Sequence, residues 1–112
     1  MRIAILDLTQ HPLPLLSGIR RAGERIKDWI SPGFFGTKFE IFDVAAGMDQ
    51  VPSMRNFDAL IVSGSERSVY DDIPWYDDVS CALFESREMG KPIFGICFGH
   101  QMMANVGTIM SL

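Results

Sequence analysis

A cysteine near the end of the chain lies in a sequence pattern that could support nucleophilic chemistry. Cys97 stands between Gly95 and Gly99, after an apolar run at residues 93–96 and before a helix-compatible segment. This pattern predicts a buried strand that turns sharply into a helix, with the thiol at the corner. Any Cβ at the two glycine positions would collide across so tight a turn. The N-terminus of the helix would favour the thiolate, and the free amide of Phe98 would face a developing oxyanion.

The pattern also has a simpler structural interpretation. A glycine-rich turn can surround a buried and inert cysteine, because free cysteine is among the most buried residue types. The position of Gly-x-Cys-x-Gly between an apolar run and a helix favours the functional interpretation. The local pattern by itself leaves both interpretations open.

Alternating strands and helices must position this cysteine. Apolar runs and three- to four-residue spacings predict strands at 3–8, 39–45, 58–62 and 93–96, and helices at 15–30, 76–89 and 98–106. This order predicts a mostly parallel sheet that is covered by helices on both faces. The second strand alternates only partly, which indicates a position near an edge of the sheet. Ligands bind at the carboxyl ends of such strands, so the loops after the first, third and fourth strands should meet at one rim.

The second predicted helix contains the other cysteine. Asp77 and Asp78 in its first turn and Gly90 just past its end are typical helix signals. Cys81 lies inside this helix in a largely apolar run, so we expect it to be buried and slow to react. Trp75, immediately before the helix, is expected to pack a loop against the core.

Composition excludes several classes of function. The chain has 112 residues and a net charge of −4 without a cluster of basic residues, which argues against binding to nucleic acid. It has no apolar run long enough to cross a membrane and no signal peptide at its start. The two cysteines suggest no disulfide framework, so a reducing cytoplasm is expected. His11 and His100 are far apart and the cysteines lack partners at metal-ligand spacing, so neither a metal site nor a cofactor is expected.

A second segment on the same predicted rim makes the pattern more specific. The third strand runs into Ser63-Gly-Ser65, and residues 68–75 read Ser-Val-Tyr-Asp-Asp-Ile-Pro-Trp. Together with the Gly-x-Cys-x-Gly-x-Gln of residues 95–101, these motifs resemble class I (triad-type) glutamine amidotransferases. The resemblance covers nearly the whole chain as far as Gln101. It implies a flavodoxin-like three-layer α/β fold with a mostly parallel sheet, present here incompletely.

The resemblance also implies roles for particular residues. Cys97 would be the nucleophile that attacks the side-chain amide of glutamine, with Gly95 and Gly99 as the glycines of the turn. The backbone amides of Ser65 and Phe98 would form the oxyanion hole. Gln101 would help to hold the substrate glutamine.

The catalytic His-x-Glu motif of that family is not found in this chain. In the family, this motif lies well downstream of the nucleophile. We therefore expect residues 1–112 to form the N-terminal half of such a domain and to be inactive as this chain. His100 is expected in the first turn of the predicted helix after Cys97, and His11 in a predicted proline-rich loop, so neither is favoured as a substitute base.

Three functions remain open at this point. The first is hydrolysis of glutamine through a Cys97 thioester, which would release ammonia for a synthase partner. The second is hydrolysis of γ-glutamyl peptides, since attack on a γ-glutamyl amide uses the same machinery. The third is a non-catalytic remnant that acts as a binding or interaction module. In each case, a bare edge of the fourth strand should favour self-association.

Overall fold

Four parallel strands form the centre of the fold. The computed structural model describes residues 1–9, 22–45, 47, 49–64 and 73–96. The strands are β1 (Arg2–Asp7), β2 (Lys38–Asp43), β3 (Ala59–Val62) and β4 (Ile93–Gly95). They lie in the order β2-β1-β3-β4, and every neighbouring pair is parallel.

Two helices cover opposite faces of this sheet. The helices are α1 (Ala22–Ile30), which precedes β2, and α2 (Tyr76–Glu88), which precedes β4. Because β2 lies on one side of β1 and β4 on the other side of β3, right-handed crossovers place the two helices on different faces. Short 3₁₀ turns at Ser31–Gly33 and Met54–Asn56 complete the described secondary structure.

Alternate residues of the central strands divide the core into two clusters. Ala4, Leu6, Leu60 and Val62 pack on the α2 side, with Val79, Ala82 and Leu83 of that helix. Ile3, Ile5, Ala59 and Ile61 pack on the other side, against partly buried Ile26 and Ile30 of α1. All four residues of β3 are buried, as expected for a strand covered on both faces.

The predicted elements agree with the structure where it describes them. The sheet is parallel, its faces carry one helix each, and β2 lies at an end of the strand order, as its weak alternation indicated. Gly90 follows α2 with φ of +68°, a left-handed conformation that favours glycine at a helix end. The predicted helix 98–106 and the first part of the predicted helix 15–30 lie outside the described residues.

The prediction that Cys81 is buried is wrong. The buried residues of α2 are Val79, Ala82, Leu83 and Ser86, which recur at helical spacing on one face. Cys81 lies off that face and is exposed. Trp75, in contrast, is buried as predicted.

Candidate functional site

The carboxyl ends of β1, β3 and β4 meet at one edge of the sheet, which we call the rim. Leu6 is in register with Val62, and Val62 is in register with Gly95. The residues that follow these three, Asp7, Ser63 and Ile96, therefore form the next row across the sheet. The rim predicted from the order of strands and helices is thus present in the described residues.

Ser63 joins the ends of β1 and β3. Its side chain is fully buried, and its Oγ accepts a hydrogen bond of 2.8 Å from the backbone amide of Leu8. The same hydroxyl donates to the carbonyl oxygen of Gly64 at 2.8 Å. The Ser63 amide in turn donates to the carbonyl of Leu6 at 3.0 Å. One small polar side chain thus fixes the positions of two neighbouring strand ends and the orientation of the Gly64 carbonyl.

Asp7 anchors α1 to the rim. Its buried carboxylate accepts hydrogen bonds at 2.9 Å from the amides of Gly23 and Thr9, through Oδ2 and Oδ1, and another from the Thr9 hydroxyl. Gly23 is needed for this close approach, because a Cβ there would lie 2.7 Å from Cγ2 of Ile41 and 3.2 Å from Oδ2 of Asp7. Neither Asp7 nor Gly23 was predicted to be a structural residue of the rim. An acidic residue at the end of a buried apolar strand was the available signal.

The last described residues of the chain lead to the predicted nucleophile. Gly95 ends β4 and is buried, and the amide of Ile96 still donates to the carbonyl of Val62 at 3.0 Å. Backbone pairing with β3 therefore continues to the residue immediately before Cys97. The other predicted site residues lie outside the described residues; these are Ser65, Cys97, Phe98, Gly99 and Gln101. The same is true of both histidines, His11 and His100.

A cavity of about 380 Å³ opens beside the rim on the α1 side. It combines the ends of three strands with one face of the helix. Its lining consists of Thr9, Arg25, Ile26, Trp29, Gly64 and Ile96. Trp29 is 72% exposed, whereas Ile26 and Ile96 pack against the apolar cluster of this face. Arg25 was not predicted to lie beside the rim.

The described residues contain no group of three or more histidine, cysteine, aspartate or glutamate side chains suited to holding a metal ion. Cys81 is a free cysteine. Within the same residue ranges, neither helix is long and apolar enough to span a membrane.

Comparison with known proteins identifies the family. The family model for glutamine amidotransferase class-I matches residues 32–108, which is more than half of the chain. The chain belongs to the class I glutamine amidotransferase family. The solved glutamine amido transferase of Methylobacillus flagellatus has the same fold, with a TM-score of 0.68 at 20% identity over 93% of this chain. The flavodoxin-like three-layer arrangement predicted from the sequence is therefore confirmed.

Two curated relatives of this chain carry the names of different enzymes. Gamma-glutamyl peptidase 4 of Arabidopsis thaliana is 27% identical over 70 residues, which is 62% of this chain. A glutamine-hydrolyzing GMP synthase of Parafrankia sp. (strain EAN1pec) is 47% identical over 53 residues, which is 46% of this chain. The matches span 28% of the peptidase and 9% of the synthase, and this chain covers 37% of the solved amidotransferase.

Proposed function

We propose that this chain carries the nucleophile-bearing part of a glutamine amidotransferase site, with residues 1–112 as the N-terminal half of the domain. The thiolate of Cys97 attacks the side-chain carbonyl carbon of a γ-glutamyl amide. The C–N bond breaks, the amine leaves with a proton as ammonia or as a peptide amine, and a thioester remains on Cys97. Water then hydrolyses the thioester to glutamate and the free thiol.

The end of β4 is the observation that carries this proposal. The Ile96 amide is paired with Val62 at 3.0 Å, and Cys97 is the next residue along the chain. Open α/β sheets bind ligands at this edge because the loops that follow the strands converge there. A thiol that directly follows the last paired residue of β4 is well suited to act as a nucleophile at the rim.

The hydrogen bond inside the Ser63-Gly64 turn supports the oxyanion hole that we propose. A trans peptide holds its carbonyl and its amide in opposite directions. The Gly64 carbonyl accepts the Ser63 hydroxyl at 2.8 Å, which supports a site in which the amide of the same peptide, that of Ser65, would point away from this hydroxyl and toward the substrate. In the proposed site it acts with the amide of Phe98 on the developing oxyanion, and Gln101 holds the substrate.

Two substrate classes fit the same chemistry. Glutamine and γ-glutamyl peptides present the same γ-carbonyl, and the relatives include both a glutamine-hydrolyzing synthase and γ-glutamyl peptidases. With glutamine, the ammonia would pass to a synthase partner. The matches to three γ-glutamyl peptidases, each over more than 60% of the chain, favour γ-glutamyl peptides as the second candidate substrate. A non-catalytic binding module is the alternative if Cys97 does not react with γ-glutamyl compounds.

A glutamine analogue with a chloroketone in place of the side-chain amide tests the proposal without requiring turnover. The thiolate of Cys97 should displace chloride and form a stable thioether, which peptide mass spectrometry locates. Cys97→Ser should lose the labelling and Cys81→Ser, which changes the exposed cysteine of α2, should retain it. An excess of glutamine or of γ-glutamylglycine should protect Cys97. Labelling of Cys81 alone, or labelling without protection by either compound, would contradict the proposal.

Turnover of glutamine by residues 1–112 requires a general base in addition to the Cys97 nucleophile. No histidine follows His100 within residues 1–112, and neither His11 nor His100 is favoured as the general base. Loss of the base from a nucleophile–base unit costs several orders of magnitude in rate. We expect ammonia release from glutamine, and amine release from γ-glutamylglycine, to stay at background. Glutamine turnover that disappears in His100→Ala would contradict this expectation and identify His100 as the base.

A further inference from the structure

Arg25 brings a positive charge to the cavity beside the rim. It lies four residues before Trp29, so the two side chains project from the same face of α1. Both residues line the cavity with Thr9, Gly64 and Ile96. No other charged residue is among the described residues that line it. Within the described part of the chain, no ion pair links the Arg25 guanidinium to a carboxylate.

The cavity adjoins the residues on which the proposed chemistry depends. Gly64 precedes the proposed oxyanion donor Ser65, and Ile96 precedes the proposed nucleophile Cys97. A ligand in the cavity would therefore lie next to the reacting amide. The cavity volume of about 380 Å³ is within the range of small-molecule sites. Ammonia is about as large as water, which occupies roughly 30 Å³, so the cavity is far larger than ammonia alone would need.

We infer that Arg25 binds a carboxylate of the γ-glutamyl substrate, with Trp29 packing against the apolar part of that substrate. A guanidinium matches a carboxylate with two parallel hydrogen bonds, which a lysine ammonium cannot reproduce. The carboxylate is either the α-carboxylate of the glutamyl group or the C-terminal carboxylate of the leaving peptide. This inference rests on the proposed function for its substrate class, and it adds the residue that selects for the charge of the substrate.

Trp29 provides a direct readout of binding. The chain has two tryptophans, of which Trp29 is exposed at the cavity and Trp75 is only 7% exposed. Three ligands separate the two sources of the carboxylate: glutamine, γ-glutamylglycine, and γ-glutamylglycinamide, which lacks the C-terminal carboxylate. Titration of the fluorescence of the full chain with each ligand gives dissociation constants. The signal should be lost in Trp29→Phe.

Arg25→Gln is the informative variant, and Lys27→Gln is its matched control. Both residues are exposed on α1 and both changes remove one positive charge, but Lys27 does not line the cavity. We expect Arg25→Gln to raise the dissociation constant about 10- to 100-fold, the effect of losing a charge-assisted pair, and Lys27→Gln to leave it within about twofold. Arg25→Lys should recover only part of the affinity. Far-UV circular dichroism checks that each variant is folded.

The three ligands then identify which carboxylate binds. An Arg25→Gln effect on γ-glutamylglycine alone identifies the C-terminal carboxylate, whereas an equal effect on all three ligands identifies the α-carboxylate. The inference is wrong if Arg25→Gln and Lys27→Gln behave alike, or if the wild-type chain binds none of the ligands at millimolar concentration. Binding that depends on Arg25 in a chain whose Cys97 fails the chloroketone test would separate this inference from the proposed function.

Discussion

Replacing Ser63 by alanine should remove the link between the ends of β1 and β3. The Ser63 hydroxyl accepts from the Leu8 amide and donates to the Gly64 carbonyl, each at 2.8 Å. Both Ser63 and Leu8 are fully buried. Alanine therefore leaves the Leu8 amide without its partner in the interior and releases the Gly64 carbonyl.

The two lost hydrogen bonds determine how much stability Ser63→Ala should lose. A buried amide without a partner costs about 1–3 kcal/mol, and the second hydrogen bond contributes about 1 kcal/mol more. We expect the free energy of unfolding of Ser63→Ala to fall by about 2–4 kcal/mol. With a urea slope of about 2 kcal/mol/M, the middle of the range for small proteins, the unfolding midpoint should fall by about 1–2 M.

Ser86→Ala is the matched control for this experiment. Ser86 is also buried, but its hydroxyl has no hydrogen-bond partner among the described residues. Removing an unpaired buried hydroxyl from the interior of α2 should leave stability unchanged or raise it by about 0.5 kcal/mol. Urea unfolding monitored by circular dichroism compares the two variants. Equal midpoints for Ser63→Ala and Ser86→Ala would refute the role assigned to the Ser63 hydroxyl.

Three further predictions concern other parts of the structure. Gly23→Ala should lower the free energy of unfolding, measured in urea, by about 1–3 kcal/mol, because the new Cβ would lie 2.7 Å from Cγ2 of Ile41. Gly33→Ala is the control, since a Cβ there meets nothing within 4 Å and should leave stability unchanged. Equal effects of the two changes would contradict the close contact at Gly23. The hydrogen bond from Arg2 lowers the pKa of Glu40 below its ordinary value of 4.5. The stability that the ionised Glu40 contributes is therefore present above pH 4.5 and is lost as the pH falls through the lowered pKa. Wild-type stability should therefore decline more steeply in acid than that of Glu40→Gln, and parallel pH curves would oppose this. The outer edge of β4 has no strand partner in the described part of the chain, so light scattering should detect dimers or larger species rather than a monodisperse monomer.

Most of the fold was predictable because its signals are local. β1, β3 and β4 are short apolar runs, and α2 has acidic residues in its first turn and Gly90 after its end. Their predicted bounds differ from the observed ones by at most one residue. The order of strands and helices then determined that the loops after β1, β3 and β4 would meet at one rim.

The contacts that build the rim were not predictable from local patterns. The Leu8 amide meets the Ser63 hydroxyl across 55 positions of sequence, and the Asp7 carboxylate meets the Gly23 amide across 16. Neither spacing follows from a helix or strand period. Such contacts depend on the register of β1 with β3 and on the packing of α1, which are tertiary properties.

The error at Cys81 has a different physical cause. The run Ala-Leu-Phe at 82–84 is apolar around more than one face of α2, which obscures the boundary between its buried and exposed sides. Phe84 is 46% exposed, whereas Ser86 is buried. The sequence therefore suggested burial on the wrong side of the helix, and the position of Cys81 only became clear from packing against the sheet.

The pH dependence of Cys97 alkylation tests the central claim most directly. In a Cys81→Ser background, iodoacetamide can report on Cys97 alone, because the chain has two cysteines. If Cys97 lies at the N-terminus of a helix beside free amides, the pKa of its thiol should be lowered. The lowering should be smaller than in a cysteine that also has a histidine partner. The rate of labelling of the folded chain should then rise with a midpoint below the value of about 8.5 for a free cysteine. A midpoint at or above that value, or labelling only after denaturation, would mean that residues 95–101 form a buried turn rather than a nucleophile site.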